Sequence, residues 1–148
     1  MKTIASAVST ILLSALLVVC FGCKEVQELH FDNLDRAKEA HMVEKGWLPS
    51  ALPADTRQIR LKEDIDIASV YGSFISEKTG DLQRECSERT EFRLPKNGPR
   101  WFPQELREAN TFADLRIEGY QLLSCDRGEF TIAFRPSGGT AYFWSLRR

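Results

Sequence analysis

Residues 120 to 146 read YQLLSCDRGEFTIAFRPSGGTAYFWSL, and this stretch decides the fold. Three largely apolar blocks, Tyr120 to Cys125, Phe130 to Arg135 and Thr140 to Leu146, are separated by Asp126-Arg127-Gly128 and Ser137-Gly138-Gly139. Both separators carry the glycine and short polar residues that let a backbone reverse, so the blocks read as a three-stranded antiparallel meander. Side chains alternate across a strand. That puts Phe130, Ile132 and Phe134 on one face of the middle strand, and Tyr142, Trp144 and Leu146 on one face of the last.

Working upstream, Arg57 to Leu61 and Ile65 to Ser76 also alternate and read as strands, with Lys62 to Asp64 as the turn between them. Asp32 to Lys45 reads as a helix, with Asp32 or Asn33 as its cap, Asp35 in the first turn, Lys45 in the last and Gly46 just past the end. Asp81 to Glu91 is polar and fits helix or loop. Pro103 suits the first position of a short helix through Glu108. Short strands and hairpins dominate, and no parallel strand-helix-strand spacing is present. The expected fold is therefore α+β, a single antiparallel sheet of about five strands with the N-terminal helix packed on one face.

The sequence also echoes itself. Trp47-Leu48-Pro49-Ser50-Ala51-Leu52 and Trp101-Phe102-Pro103-Gln104-Glu105-Leu106 share the pattern W-[L/F]-P-x-x-L, 54 residues apart, although their flanks do not align. Each segment can plug an edge of the core. Alternatively, Trp47, Pro49, Trp101 and Pro103 form an exposed aromatic-proline surface for a partner, as contiguous apolar surface does at binding sites.

The N-terminus has a separate logic. Lys2 precedes an uncharged, mostly apolar stretch from Ile4 to Phe21, and Gly22-Cys23 follows before charge resumes at Lys24 and Glu25. This is the layout of a secretory signal over residues 1–22. A small residue before a cysteine meets the demand of a lipoprotein signal peptidase, whereas Val19 before Cys20 is too bulky. Cys23 is thus the candidate lipidated residue, and residues 23–31 read as a tether to one globular domain over 32–148. An uncleaved anchor and conventional cleavage are the competing readings, since 18 uncharged residues are near the minimum that spans a bilayer. All three put the remaining chain outside the cytoplasm. Lys24, in place of the aspartate that retains lipoproteins in the inner membrane of enteric-type bacteria, favours the periplasmic face of the outer membrane.

With Cys20 in the signal and Cys23 carrying lipid, Cys86 and Cys125 remain, and in an oxidising envelope they read as a disulfide. A redox or metal pair has little support, because there is no C-x-x-C and neither His30 nor His41 lies close in sequence. Removing residues 1–22 leaves 126 residues with 19 basic and 21 acidic groups, a net charge of −2 that argues against nucleic-acid binding.

No nucleotide-binding, nucleophile-elbow or zinc-protease motif occurs, and no cofactor or metal is implied. Asp64 and Asp66 lack the third ligand and the glycine of a calcium loop. Carboxylate pairs for glycoside hydrolysis depend on the fold, and 21 acids make some such pair inevitable. Arg147-Arg148 and the pair Arg57 and Arg60 can touch anionic headgroups but also suit a solvated face.

Taken with Cys23, the Gly46-Trp47-Leu48-Pro49-Ser50-Ala51-Leu52-Pro53 segment, Ile59, Asp64-Ile65-Asp66 and Ala141-Tyr142-Phe143-Trp144, the chain resembles a family of small bacterial lipoproteins without an assigned activity. The resemblance implies a lipid anchor and an envelope location, and no mechanism. Cys125-Asp126-Arg127-Gly128 and Ser137-Gly138-Gly139-Thr140-Ala141-Tyr142 are also similar to the C-x-x-G and S-G-x-x-Y elements of membrane-bound lysozyme inhibitors, with the tyrosine one residue late. Three functions follow as expectations: a non-catalytic envelope module that binds or scaffolds an envelope protein, an inhibitor of a lysozyme-type hydrolase, or a small envelope hydrolase.

Overall fold

The computed structural model describes residues 26–88 and 93–146. The signal at 1–22, Cys23 and Arg147-Arg148 lie outside the described residues. Within them the strands β1 (Val26–Asn33), β2 (Arg57–Asp64), β3 (Ser69–Ile75), β4 (Ser87–Glu88), β5 (Gln121–Cys125), β6 (Phe130–Phe134) and β7 (Thr140–Leu146) form one antiparallel sheet of seven strands. Its order is β1-β2-β3-β7-β6-β5-β4. The chain is thus two meanders laid side by side, β1 to β3 and β5 to β7. Pairing of Ser69 to Ile75 with Leu146 to Thr140 joins them.

The C-terminal meander has the expected boundaries to within a residue. Five strands become seven because β4 is only two residues long and because β1 occupies most of the segment expected to be a tether. Val26 to Asn33 alternates Leu29 and Phe31 against polar neighbours, and it pairs with Asp64 to Arg57. Only those two half-buried side chains face the core, so an edge strand reads as polar chain.

The first helix is also shorter than expected. α1 spans Leu34–Glu39, and the Asn33 side chain caps it by accepting from Arg36 N at 3.0 Å. It ends in a Schellman turn: His41 N donates to Lys38 O at 2.8 Å and Met42 N to Ala37 O at 3.1 Å, with His41 in the left-handed region at φ 59°. Ala37 and Met42 are both buried, which supplies the apolar contact of that motif. Burial of Met42, not helix propensity, stops the helix before Lys45.

The hairpin between β2 and β3 turns later than polarity suggested. Lys62, Glu63 and Asp64 pair with Tyr71, Val70 and Ser69, and the reversal falls on Ile65 to Ala68, where Ala68 N donates to Ile65 O at 3.2 Å. The three charged residues Lys62, Glu63 and Asp64 are half-buried at the end of β2. Asp66 is therefore in the turn, while Asp64 ends β2, so the two carboxylates do not share a strand face.

Strand alternation divides the core in two. One face carries Ile59, Leu61, Val70, Phe74, Ile132 and Phe143, covered by Leu34, Ala37, Met42, Leu48 and Leu52. The other carries Tyr71, Leu122, Ala133 and Trp144. It is covered by Phe102, by Leu106 of α3 (Gln104–Glu108) and by Leu115 of α4 (Phe112–Ile117). A further short helix, α2 (Leu82–Glu85), leads into Cys86, which is bonded to Cys125. The aromatic faces of the last two strands point in opposite directions, since Ile132 sits opposite Phe143 and not Trp144.

Candidate functional site

The two W-[L/F]-P-x-x-L segments adopt parallel roles on opposite faces of the sheet. In each, the second and sixth residues are buried, Leu48 and Leu52 in one, Phe102 and Leu106 in the other. Each tryptophan is half-buried with a cation over its ring, Lys45 Nζ 5.2 Å from the Trp47 centroid and the Arg60 guanidinium 4.6 Å from that of Trp101. Arg60 is itself held by Glu28, to which its Nε donates at 2.6 Å. Pro49 is buried and Pro103 half-buried. Trp47, Pro49, Trp101 and Pro103 are therefore not brought together into one surface.

A different group converges. At the sheet end marked by Ile75 and Thr140, a hollow of about 310 Å³ is lined by Glu105, Tyr120, Arg135, Tyr142 and the Gly138-Gly139 hairpin, with Pro103 at its margin. Glu105 Oε1 accepts from Arg135 Nη2 at 3.1 Å and from the Tyr120 hydroxyl at 3.3 Å. The Arg135 guanidinium stacks 4.4 Å from the Tyr120 ring centroid, and its Nε donates to Glu118 O at 3.2 Å. The planar guanidinium is thus fixed on both its edge and its face.

Burial raises the Tyr120 phenol far above its ordinary range, reinforced by the neighbouring Glu105 carboxylate. Burial also raises Tyr142, against a hydrogen bond with Thr140. Both phenols stay protonated near neutral pH and serve as hydrogen-bond donors or acceptors, not as bases. With a carboxylate-guanidinium pair and a glycine turn beside them, they line a polar hollow that offers hydrogen-bond donors and acceptors. Tyr142 and Gly138-Gly139 fall in the S-G-x-x-Y-like segment. Glu105 and Arg135 carried no sequence signal, because 30 residues separate them and only the fold joins them.

The histidines stay apart. His30 is exposed on β1, with Nε2 3.7 Å from Glu28, and exposed His41 serves the helix terminus. Among the described residues no group of three or more His, Cys, Asp or Glu side chains is placed to hold a metal ion. No described helix is long and apolar enough to cross a membrane. The Cys125-Asp126-Arg127-Gly128 corner lies beyond β6 from the hollow, so the two inhibitor-like elements occupy opposite ends of the sheet.

These features define an α+β domain built from two meanders with a polar hollow at one end. A family model, the YbbD head domain of bacteria, matches residues 25–75, about a third of the chain. The matched stretch ends at Ile75, the last residue of β3, and so spans the N-terminal meander with α1. No curated protein and no solved structure matches the chain.

Proposed function

We propose that this protein is a lipid-anchored envelope module that binds an envelope partner and does not catalyse a reaction. It is attached through Cys23 at the periplasmic face of the outer membrane, and the Glu105-Tyr120-Arg135-Tyr142 hollow meets the partner. The observation that carries the reading is the Cys86–Cys125 disulfide. It suits an oxidising compartment and leaves Cys20 and Cys23, both at the apolar N-terminal stretch, outside the bridge. The similarity to small lipoproteins supports the same location. Pairing of Glu105 with Arg135 and the protonated phenols favour recognition over acid-base chemistry.

In-cell photo-cross-linking on the full chain tests this, with the probe at Ser137 beside the hollow, at Trp47 and at Trp101. A discrete envelope adduct is expected from Ser137 and not from the tryptophans, and Cys23→Ser is expected to lose both palmitate labelling and membrane association. Adducts confined to the tryptophans would move the binding surface, and an unlabelled but membrane-bound Cys23→Ser chain would remove the lipid anchor. Lysozyme inhibition is the second reading, favoured by the exposed Ser137-Gly138-Gly139 turn at the rim. It requires stoichiometric slowing of a lysozyme by the wild type and relief by Ser137→Ala.

A further inference from the structure

The sheet end opposite the hollow carries a feature that the core does not explain. The loop between β2 and β3 is Ile65-Asp66-Ile67-Ala68, and Ile65 and Ile67 are 43% and 54% exposed. Val26, opposite Asp64 at the start of β1, is 39% exposed. A four-residue reversal favours Gly, Asn, Asp or Ser, yet here two β-branched apolar residues project from it and Ala68 takes the left-handed φ of 47°. The turn geometry calls for none of these side chains.

Where the chain leaves the sheet says what they meet. Val26 is three residues from Cys23, and three residues of fully extended chain span at most about 11 Å. A lipid on Cys23 holds Val26, and with it the neighbouring hairpin tip, close to the bilayer surface. We infer that the Ile65-Asp66-Ile67 tip, with Val26, is a membrane-contacting edge that seats the domain on the phospholipid bilayer in which the chain is anchored. This rests on the proposed anchor at Cys23. The two isoleucines enter the headgroup-acyl boundary while Asp66, exposed between them in the turn, stays hydrated, giving shallow contact without a spanning segment. The seven residues of β3 place Ser69 at this edge six steps from Ile75 near the hollow, about 20 Å at 3.3–3.4 Å per step. The hollow consequently faces away from the membrane.

The test uses the full lipidated chain in phosphatidylcholine vesicles containing lipid spin-labelled near the headgroup. Ile65→Cys, Ile67→Cys and Ile117→Cys are each labelled with an environment-sensitive fluorophore. Ile117, 82% exposed on α4, lies toward the opposite end and serves as the reference. Blue-shifted emission and at least twofold stronger lipid quenching are expected at 65 and 67 relative to 117. Equal, water-like emission at all three positions in a chain that still floats with the vesicles overturns the membrane edge and leaves the anchor intact. A wild-type chain that fails to float, like Cys23→Ser, overturns the anchor and the membrane edge with it. An intact Cys86–Cys125 bond on a non-reducing gel, with wild-type circular dichroism, certifies the fold of each labelled chain.

Discussion

The two faces of the sheet are closed by the same sequence pattern in opposite ways. On one, residues 40–56 run mostly as turns, and Leu48 and Leu52 are pressed onto the sheet by polar clasps at the margin. Ser50 donates to Asp126 through its N–H, at 2.8 Å, and through its hydroxyl. Asp55 accepts from the Ser76 hydroxyl at 2.6 Å and from Glu77 N at 2.9 Å. On the other face the cover is helical. Phe102 sits among Tyr71, Trp101, Tyr142 and Trp144 at centroid distances of 5.1 to 6.3 Å, and a reciprocal Thr111–Asp114 capping box starts α4. A strap held at its rim and a plug held at its centre should fail differently.

Phe102→Ala is the most damaging change expected. It removes the ring on which four others pack, and buried Phe to Ala costs about 3–5 kcal/mol. Urea denaturation should show that loss, with Trp144 fluorescence altered before unfolding. A loss below about 1 kcal/mol would mean that the helical cover is not organised around this ring. Removing the Cys86–Cys125 bridge with paired serines comes next, at about 2–4 kcal/mol for a closed loop of this length. It ties Cys86, just after α2, to β5 on the strap's face, so protection from hydrogen exchange should fall more over 47–56 than over 101–117.

Gly72→Ala probes the centre of the strap face. Gly72 lies opposite Phe143, and a Cβ there would overlap that buried ring, which packs on Phe74 and Phe130. Overpacking of this kind costs about 1–3 kcal/mol, and Phe143→Leu in the same chain should recover part of it. Arg60→Ala, which uncovers Trp101, is expected to cost about 0.5–1 kcal/mol, with a red shift in tryptophan emission.

The central strands were legible because β6 and β7 combine strict alternation with glycine turns, and the disulfide followed from cysteine counting. Pro103 also marked the start of α3. What stayed hidden depends on tertiary contacts. His41 terminates α1 because Met42 is buried, Ile65 to Ala68 form the turn although their residue types argue against it, and Thr111 with Asp114 opens a helix that went unread. The hollow was illegible for a simpler reason. Glu105, Tyr120, Arg135 and Tyr142 come from four elements or connections, and local periodicity carries no information about their meeting.

The smallest effect separates the two covers by pH. For Asp55, burial raises the carboxyl's pKa, but hydrogen bonds from Ser76 and Glu77 outweigh it and leave the pKa below the ordinary aspartate value. Asp114 is lowered by the Thr111 backbone and side-chain bonds of the capping box. A depressed pKa means that the folded state releases the proton more readily than the unfolded state does. The resulting stabilisation is complete above the ordinary aspartate range and is lost as pH falls through it toward the folded pKa. Each cover therefore contains one acid-labile tie. Asp55→Asn should flatten part of the acid limb of stability and remove the pH dependence of exchange near 47–56, while leaving that of 110–117. Asp114→Asn should do the converse. If either substitution flattened both regions equally, the strap and the plug would be one cooperative unit despite lying on opposite faces of the sheet.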